Sequence, residues 1–208
     1  MVTEMAQQDS RTKLLNATLK IVRSKGYTAT RIEDICAEAG VTKGSFFHHF
    51  KSKDDLALAA VAHWDAMTGG LFAQAKYHDH ADPLDRLLAY VDFRKELLAG
   101  DLPDFTCFAG MITQEAYQTR PDIVEACARN ISGHAKTLEA DIGEAMKKYG
   151  VRGDWTTESL ALHMQAVIQG SFVLAKAKGG AAVAADSIGH LRRYLELLFR
   201  SDTSKRTS

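Results

Sequence analysis

The sequence predicts an all-α fold. Three features of the chain lead there: apolar residues recur at helical spacing almost everywhere, alternating β-branched runs bounded by turn residues are absent, and capping and stopping residues punctuate the chain. With 208 residues and 46% hydrophobic content the chain can build one large domain, or a small domain joined to a bigger one.

The elements follow in order. A first helix is expected after Asp9 or Ser10, with Leu14, Thr18, Ile21 and Val22 on one face and Gly26 as its stop. Thr30 to Glu33 reads as a capping box for a short second helix striped by Ile32, Ile35, Cys36 and Ala39, ending at Gly40. Thr42 caps a third short helix, and Ser52 opens a fourth that continues through Leu56, Ala60, Trp64, Met67 and Leu71. Gly69 and Gly70 each cost roughly 1 kcal/mol relative to Ala, so a kink or break is expected there. Asp82 and Pro83 start the next helix, which buries Leu84, Leu87, Leu88 and Val91. Gly100 to Asp104 reads as a loop and Phe105 to Thr119 as helix. Pro121 begins one long helix ending at Gly150, and the last two run from about Asp154 to Lys178 and from about Ala184 to Phe199. That makes about nine helices. The expected division is residues 1–55, residues 56–200, and a disordered tail at 201–208.

Net charge is zero overall, yet strongly local. Between Arg11 and Lys53 nine lysines and arginines face three acids, a net charge of +6, and the remaining chain carries the opposite sign. Such a patch fits a polyanion such as nucleic acid. Cys36, Cys107 and Cys127 form no paired motif, which fits a reducing compartment. No apolar leader is read in the first ten residues, and no stretch is expected to approach the roughly 18 apolar residues that span a bilayer. A cytoplasmic protein without membrane association is expected.

The stretch AGVTKGSFFHHFKSKDDL, Ala39 to Leu56, concentrates the chemistry. On a helix Phe46 and Phe50 share a face and belong in the core, whereas Phe47 and His48 point away. Two short helices joined by Ala-Gly-Val have the helix-turn-helix layout, in which the second enters the major groove and the first braces it. Thr42 and Ser45 can donate to phosphates or base edges, Lys43 can reach guanine or phosphate, and Gly44 permits close backbone approach. Phe47 offers apolar contact to a thymine methyl. His48 and His49 can donate to phosphates, Lys53 adds charge, and Thr30 and Arg31 are candidate backbone clamps.

The run TRIEDICAEAGVTKGSFFHHFKSKDDLALAAV, Thr30 to Val61, resembles the DNA-binding signature of the TetR family of bacterial transcription regulators. The resemblance covers roughly the first quarter of the chain. It implies a homodimer with a basic N-terminal reading domain on palindromic double-stranded DNA and a larger helical domain that takes a small-molecule inducer, hence a ligand-released repressor. Where many members carry Tyr, this chain has Phe46, Phe47 and His48, so phenol bonds to phosphate are lost and His48 is expected to take part of that work in its protonated form.

For the larger domain, the penultimate helix offers Leu160, Met164, Val167, Ile168, Ser171 and Ala175 and the last helix Ile188, Leu191, Leu195 and Leu198 as the expected dimer surface, packing within the subunit being the alternative. Small residues Gly170, Ser171, Ala175 and Ala177 would allow close helix approach. Trp64, Met67, Phe108, Met111, Tyr117, His134, Met164 and Gln165 are the candidate pocket residues, for an apolar or neutral aromatic ligand. Cys107, ahead of an apolar helical run, is either a redox switch or a small core residue. His78 and His80 lack a second cluster at metal-ligand spacing, so no metal or cofactor is expected. No nucleophile and base pair is legible, so no enzyme is expected. The alternative reading is an architectural DNA-binding protein without a small-molecule signal.

Overall fold

The computed structural model describes residues 2–200, with side chains from Ser10 to Phe199. Among these the chain forms α1 (Val2–Lys25), α2 (Ile32–Ala39), α3 (Lys43–His49), α4 (Lys53–Ala73), α5 (Pro83–Glu96), α6 (Leu102–Phe105), α7 (Phe108–Ala116), α8 (Pro121–Lys136), α9 (Glu139–Tyr149), α10 (Thr157–Lys178) and α11 (Ala181–Arg200), with one 3₁₀ turn at Lys76–Asp79. No strand occurs among the described residues. The tail expected to be disordered lies outside them.

Two departures account for the extra helices. A four-residue α6 forms where a loop is expected, and the long helix from Pro121 divides at Thr137–Leu138. There the Thr137 hydroxyl bonds to the His134 carbonyl (2.7 Å), and the Thr137 and Leu138 amides close on residues three back (3.2 and 3.0 Å). A hydroxyl competing for the helical carbonyl, with tightened turns beside it, ends the ladder. α1 also starts earlier than expected, at Val2, through a segment rich in good helix formers. α4 continues through Gly69 and Gly70 to Ala73.

Packing divides the chain into two units. The first holds residues 1–70 and Thr106–Asn130; its core comprises Leu14, Leu15, Val22, Ile35, Phe46, Phe50, Leu56, Ala60, Val61, Phe108 and Ile112, all buried. α1 packs against α2, α3 and α7. The second holds Leu71–Phe105 and residues 131–208, where α5 packs on α9 and α11, and α10 on α9 and α11. Leu84, Leu87, Leu88, Tyr90 and Val91 of α5 are buried there with Ile168, Ile188, Leu191 and Leu195. These units describe packing and are drawn differently from the division after residue 55, which concerns task.

Polar ties set the helix ends in the second unit. Asp82 caps α5 by accepting from the Leu84 amide (2.8 Å) and also receives Lys148 (2.6 Å) and Tyr149 (2.8 Å) from α9. Arg86 reaches Asp141 (2.7 Å), joining the same helices one turn further on. In composition and length the stretch Lys53–Asp79 suffices to cross a membrane, against the expectation that none would. Its first turns are instead core, since Leu56, Ala57, Ala60 and Val61 are 3% exposed or less.

Candidate nucleic-acid interface and effector cluster

The reading head is built by two caps and a turn. α2 is capped one residue later than expected: the Arg31 amide donates to Asp34 (2.9 Å), and Arg31 is the N-cap. At the other end Gly40 adopts φ 64°, and the amides of Gly40 and Val41 bond back to Ala37 (3.2 Å) and Cys36 (3.0 Å). Only a residue tolerant of the left-handed region closes the helix this way, so glycine sets the angle into α3. Thr42 then caps α3, its hydroxyl accepting from the Ser45 amide (3.1 Å).

On α3 the aromatic residues sort as their spacing predicts. Phe46 is wholly buried and Phe50 3% exposed, while Phe47 stands 57% exposed with its ring edge-on to Phe46 at 5.1 Å. Thr42, Lys43, Gly44 and His48 are exposed, and Ser45 and His49 half-buried. A Cβ at Gly44 would meet only the Thr42 hydroxyl, at 3.7 Å, so packing within the chain does not demand glycine there. The head thus presents a small, flat polar face with one apolar tip. Lys43 is ion-paired with Glu33, and both are well exposed; the pairing pulls the Glu33 carboxyl below its ordinary value. An exposed pair of this kind is weak and readily exchanged for a phosphate. His49 is lowered by burial and by neighbouring His48 and Arg11.

Two expected contacts are corrected. Thr30 is 2% exposed and its hydroxyl donates to the Gly26 carbonyl (2.5 Å), so it supports the α1–α2 loop and does not clamp a ligand. Lys53 turns its ammonium onto the carbonyls of Tyr27 and Thr30 (both 3.1 Å) and over the Tyr27 ring (4.4 Å); burial lowers its pKa. It holds the loop in place of a phosphate.

Around Lys53 lies a set of residues the sequence did not single out. Tyr27 donates to Asp54, which also receives Arg120 (2.8 Å), and burial, then Asp54, raises the Tyr27 phenol. Glu115 of α7 accepts from the Thr28 amide (2.9 Å) and lies against Gly26, which sits at φ 90°. The loop behind the reading head is therefore fastened from α4, α7 and the α7–α8 turn. No short-range pattern marks these residues, because Thr28 and Glu115 are 87 positions apart.

The eight candidate pocket residues separate by unit. In the first, Trp64 meets Phe108 at 6.2 Å and lies under Arg23 at 5.1 Å, with Met111 half-buried. Met67 is 46% exposed and Tyr117, at the end of α7, 63% exposed, so neither is placed in the interior, and their expected pocket role is corrected. In the second, Met164 and Gln165 are buried and His134 is half-buried. There Tyr90, not selected from sequence, is the hub: it is fully buried, Gln165 Nε2 donates to its hydroxyl (3.0 Å), and the hydroxyl faces His134 Nε2 at 2.9 Å. Phe72 lies 4.3 Å from the His134 ring and 6.0 Å from Tyr90. Burial, then Arg94, lowers the His134 pKa to about 4, so at neutral pH the ring is uncharged and shares one hydrogen bond with the Tyr90 hydroxyl. Cys107 is the N-cap of α7, its sulfur accepting from the Gly110 amide (3.3 Å). Cys127 is buried, and its thiol is pushed up to about 12 by burial and then by Cys107.

Residues 14–60 match the family described as bacterial regulatory proteins, tetR family. The likeness to the tetR family lies in this N-terminal segment. Among curated relatives it is 32% identical to the transcriptional regulator AcuR of Cereibacter sphaeroides over 102 residues, which is 49% of this chain and 47% of AcuR. It is 47% identical to the regulator CymR of Pseudomonas putida over 47 residues, 23% of each chain. The chain spans about half the length, or less, of the curated relatives it matches. A TetR-family regulator from Agrobacterium tumefaciens shares the fold, with a TM-score of 0.81 at 22% identity, covering 93% of this chain and 99% of that one.

Two outcomes follow. Tyr27→Phe removes a half-buried hydrogen bond to a carboxylate and should cost about 1 kcal/mol in urea unfolding, with a smaller loss for Arg120→Ala, whose guanidinium is largely exposed. As pH falls below the ordinary 6.5, the unfolded chain takes up a proton that folded His134 refuses until about 4. Stability therefore declines across that window, by up to about 3 kcal/mol for this group. Wild type should lose more stability than His134→Gln between those two pH values, and parallel curves would refute the assignment.

Proposed function

We propose that this chain is a transcription regulator that binds palindromic double-stranded DNA as a homodimer through α3 and is released by a small molecule, acting as a repressor and not as an enzyme. The observation that carries the reading is the exposed row Thr42, Lys43, Gly44, Phe47 and His48 on a helix whose opposite side is locked by Phe46 and Phe50, in a segment with net charge +6. Arg31, Ser45 and His49 flank that row as phosphate contacts. Relatives with the same N-terminal segment are named as transcriptional regulators, and the solved regulator FadR of Bacillus subtilis, similar in fold at a TM-score of 0.69 and 16% identity, holds stearoyl-CoA.

Dimerisation is assigned to the last two helices, though to another face than the stripe read from sequence. Leu160, Met164, Ile168, Ser171 and Ala175, with Ile188, Leu191 and Leu195, are buried within the subunit. The exposed face of α10 instead carries Leu162, Ala166, Gly170, Val173 and Ala177, and α11 adds Tyr194 and Leu197, the latter 68% exposed. A Cβ at Gly170 would meet nothing within 4 Å, so this face admits a close neighbour. Two-fold pairing there would give a four-helix bundle and present two heads to half-sites about 34–36 Å apart. In this reading ligand binding favours a conformation whose heads no longer match that spacing, and it acts only through its differential affinity for the two conformations.

The deciding experiment is to titrate the full chain with a duplex selected from random DNA, over a range of salt. Affinity should fall by about 10³ or more between 50 and 200 mM salt if about six phosphates are neutralised, and a flat response would refute the reading. Affinity should also fall in His48→Ala, which removes a phosphate donor from the exposed row. Separately, the double variant Val173→Glu, Leu197→Glu should sediment as a monomer and lose duplex affinity; a dimer surviving both charges would move the interface elsewhere.

A further inference from the structure

Arg94 places a guanidinium in the aromatic cluster of the second unit, and among the described residues it is paired with no acid. Its guanidinium lies over Phe72 at 5.1 Å and over Phe172 at 5.9 Å. Among the described residues it forms no ion pair with a carboxylate. Asp92, two residues before it on α5, is held by Arg192, at 3.1 Å from both carboxylate oxygens. A half-buried guanidinium costs desolvation energy that is ordinarily offset by a carboxylate. Its neighbours do not supply one: Tyr90 is neutral, His134 is uncharged at neutral pH, and Gln165 is an amide.

What surrounds the guanidinium is apolar and aromatic with one polar row. Phe93 packs edge-on against Phe72 at 5.7 Å, Tyr77 lies 5.4 Å from Tyr90, and Phe105 lies 6.3 Å from Phe172. The Tyr90 hydroxyl is engaged with His134, Gln165 and Arg94, and a guanidinium that gives one donor to a phenol keeps others free, in a fork that matches a carboxylate.

We infer that the second unit binds a monoanionic carboxylate with an apolar body, its carboxylate on Arg94 and its body against Phe72 and Phe172, with Gln165 and Tyr90 as the polar row beside it. This deepens the proposed function, on which it rests, by naming the class of effector, and it replaces the neutral ligand expected from sequence. A single guanidinium balances one negative charge, which favours a carboxylate over the higher charge of a phosphate monoester.

The test uses the full chain and a matched probe set: butyrate, octanoate, palmitate, benzoate and phenylacetate, each beside its primary amide, together with octyl phosphate. Binding is read by calorimetry and by shift in melting temperature. At least one carboxylate should bind about tenfold or more tightly than its own amide, the scale of one charged hydrogen-bonded contact, and more tightly than octyl phosphate. Arg94→Gln should erase that preference, and Arg94→Lys, keeping charge without the fork, should restore part of it. No preference for any carboxylate in wild type, a preference for octyl phosphate, or a preference that survives in Arg94→Gln each overturns the inference; the wild-type comparison stands even if a variant folds poorly. The selected duplex separates the two claims. Duplex binding with no carboxylate preference sinks the effector class alone, whereas carboxylate binding that leaves the duplex complex intact sinks release by this ligand and upholds the Arg94 site.

Discussion

The burial of Phe46 sets the orientation of everything the reading head presents. With no solvent-accessible surface and Phe50 one turn on beneath the same face, α3 has one rotational setting in which both rings are covered. Any other setting exposes a large apolar ring at a cost of roughly 2 kcal/mol or more. Phe47 and His48 are outward because Phe46 and Phe50 are inward; the polar face is the remainder of a packing solution. A seven-residue helix cannot hold that setting by its own hydrogen bonds. It is held by the core beneath it, by the Thr42 cap and by the glycine turn at Gly40.

Local spacing made this part legible. The fold class, the capped starts at Thr42 and Asp82, the glycine ends at Gly40 and Gly150, and the inward and outward aromatics of α3 all follow from interactions within a few residues. What could not be read was long-range. Thr30 and Lys53 look like surface polar residues until the α1–α2 loop is placed under them, and then their hydroxyl and ammonium are consumed by backbone carbonyls. The stripe on α10 was found correctly and assigned to the wrong neighbour, because a helix with apolar residues on two faces does not announce which one its own chain covers. The break after Lys136 depends on one threonine side chain, a choice that propensity does not register.

The second unit shows a different logic. Its core is not uniformly apolar: Tyr90, Gln165 and His134 form a hydrogen-bonded polar row inside it, and His134 takes part as an uncharged ring. Such a row is informative because each member has a determined partner, so a cation that joins it through Tyr90 without a carboxylate of its own stands out. Sequence periodicity saw Val91 and Leu88 as the face of α5 and passed over Tyr90 and Arg94, since an aromatic alcohol and a guanidinium at adjacent turns look like ordinary boundary residues.

The fastening of the α1–α2 loop by Glu115 and Arg120 bears on how modular this chain can be. A chimera that transplanted only the first 55 residues onto another helical body would leave the Thr28 amide without its carboxylate and Asp54 without its guanidinium. The portable piece is discontinuous: Leu71–Phe105 lies between its two parts, and recombination would have to respect both or evolve a substitute for the missing ends.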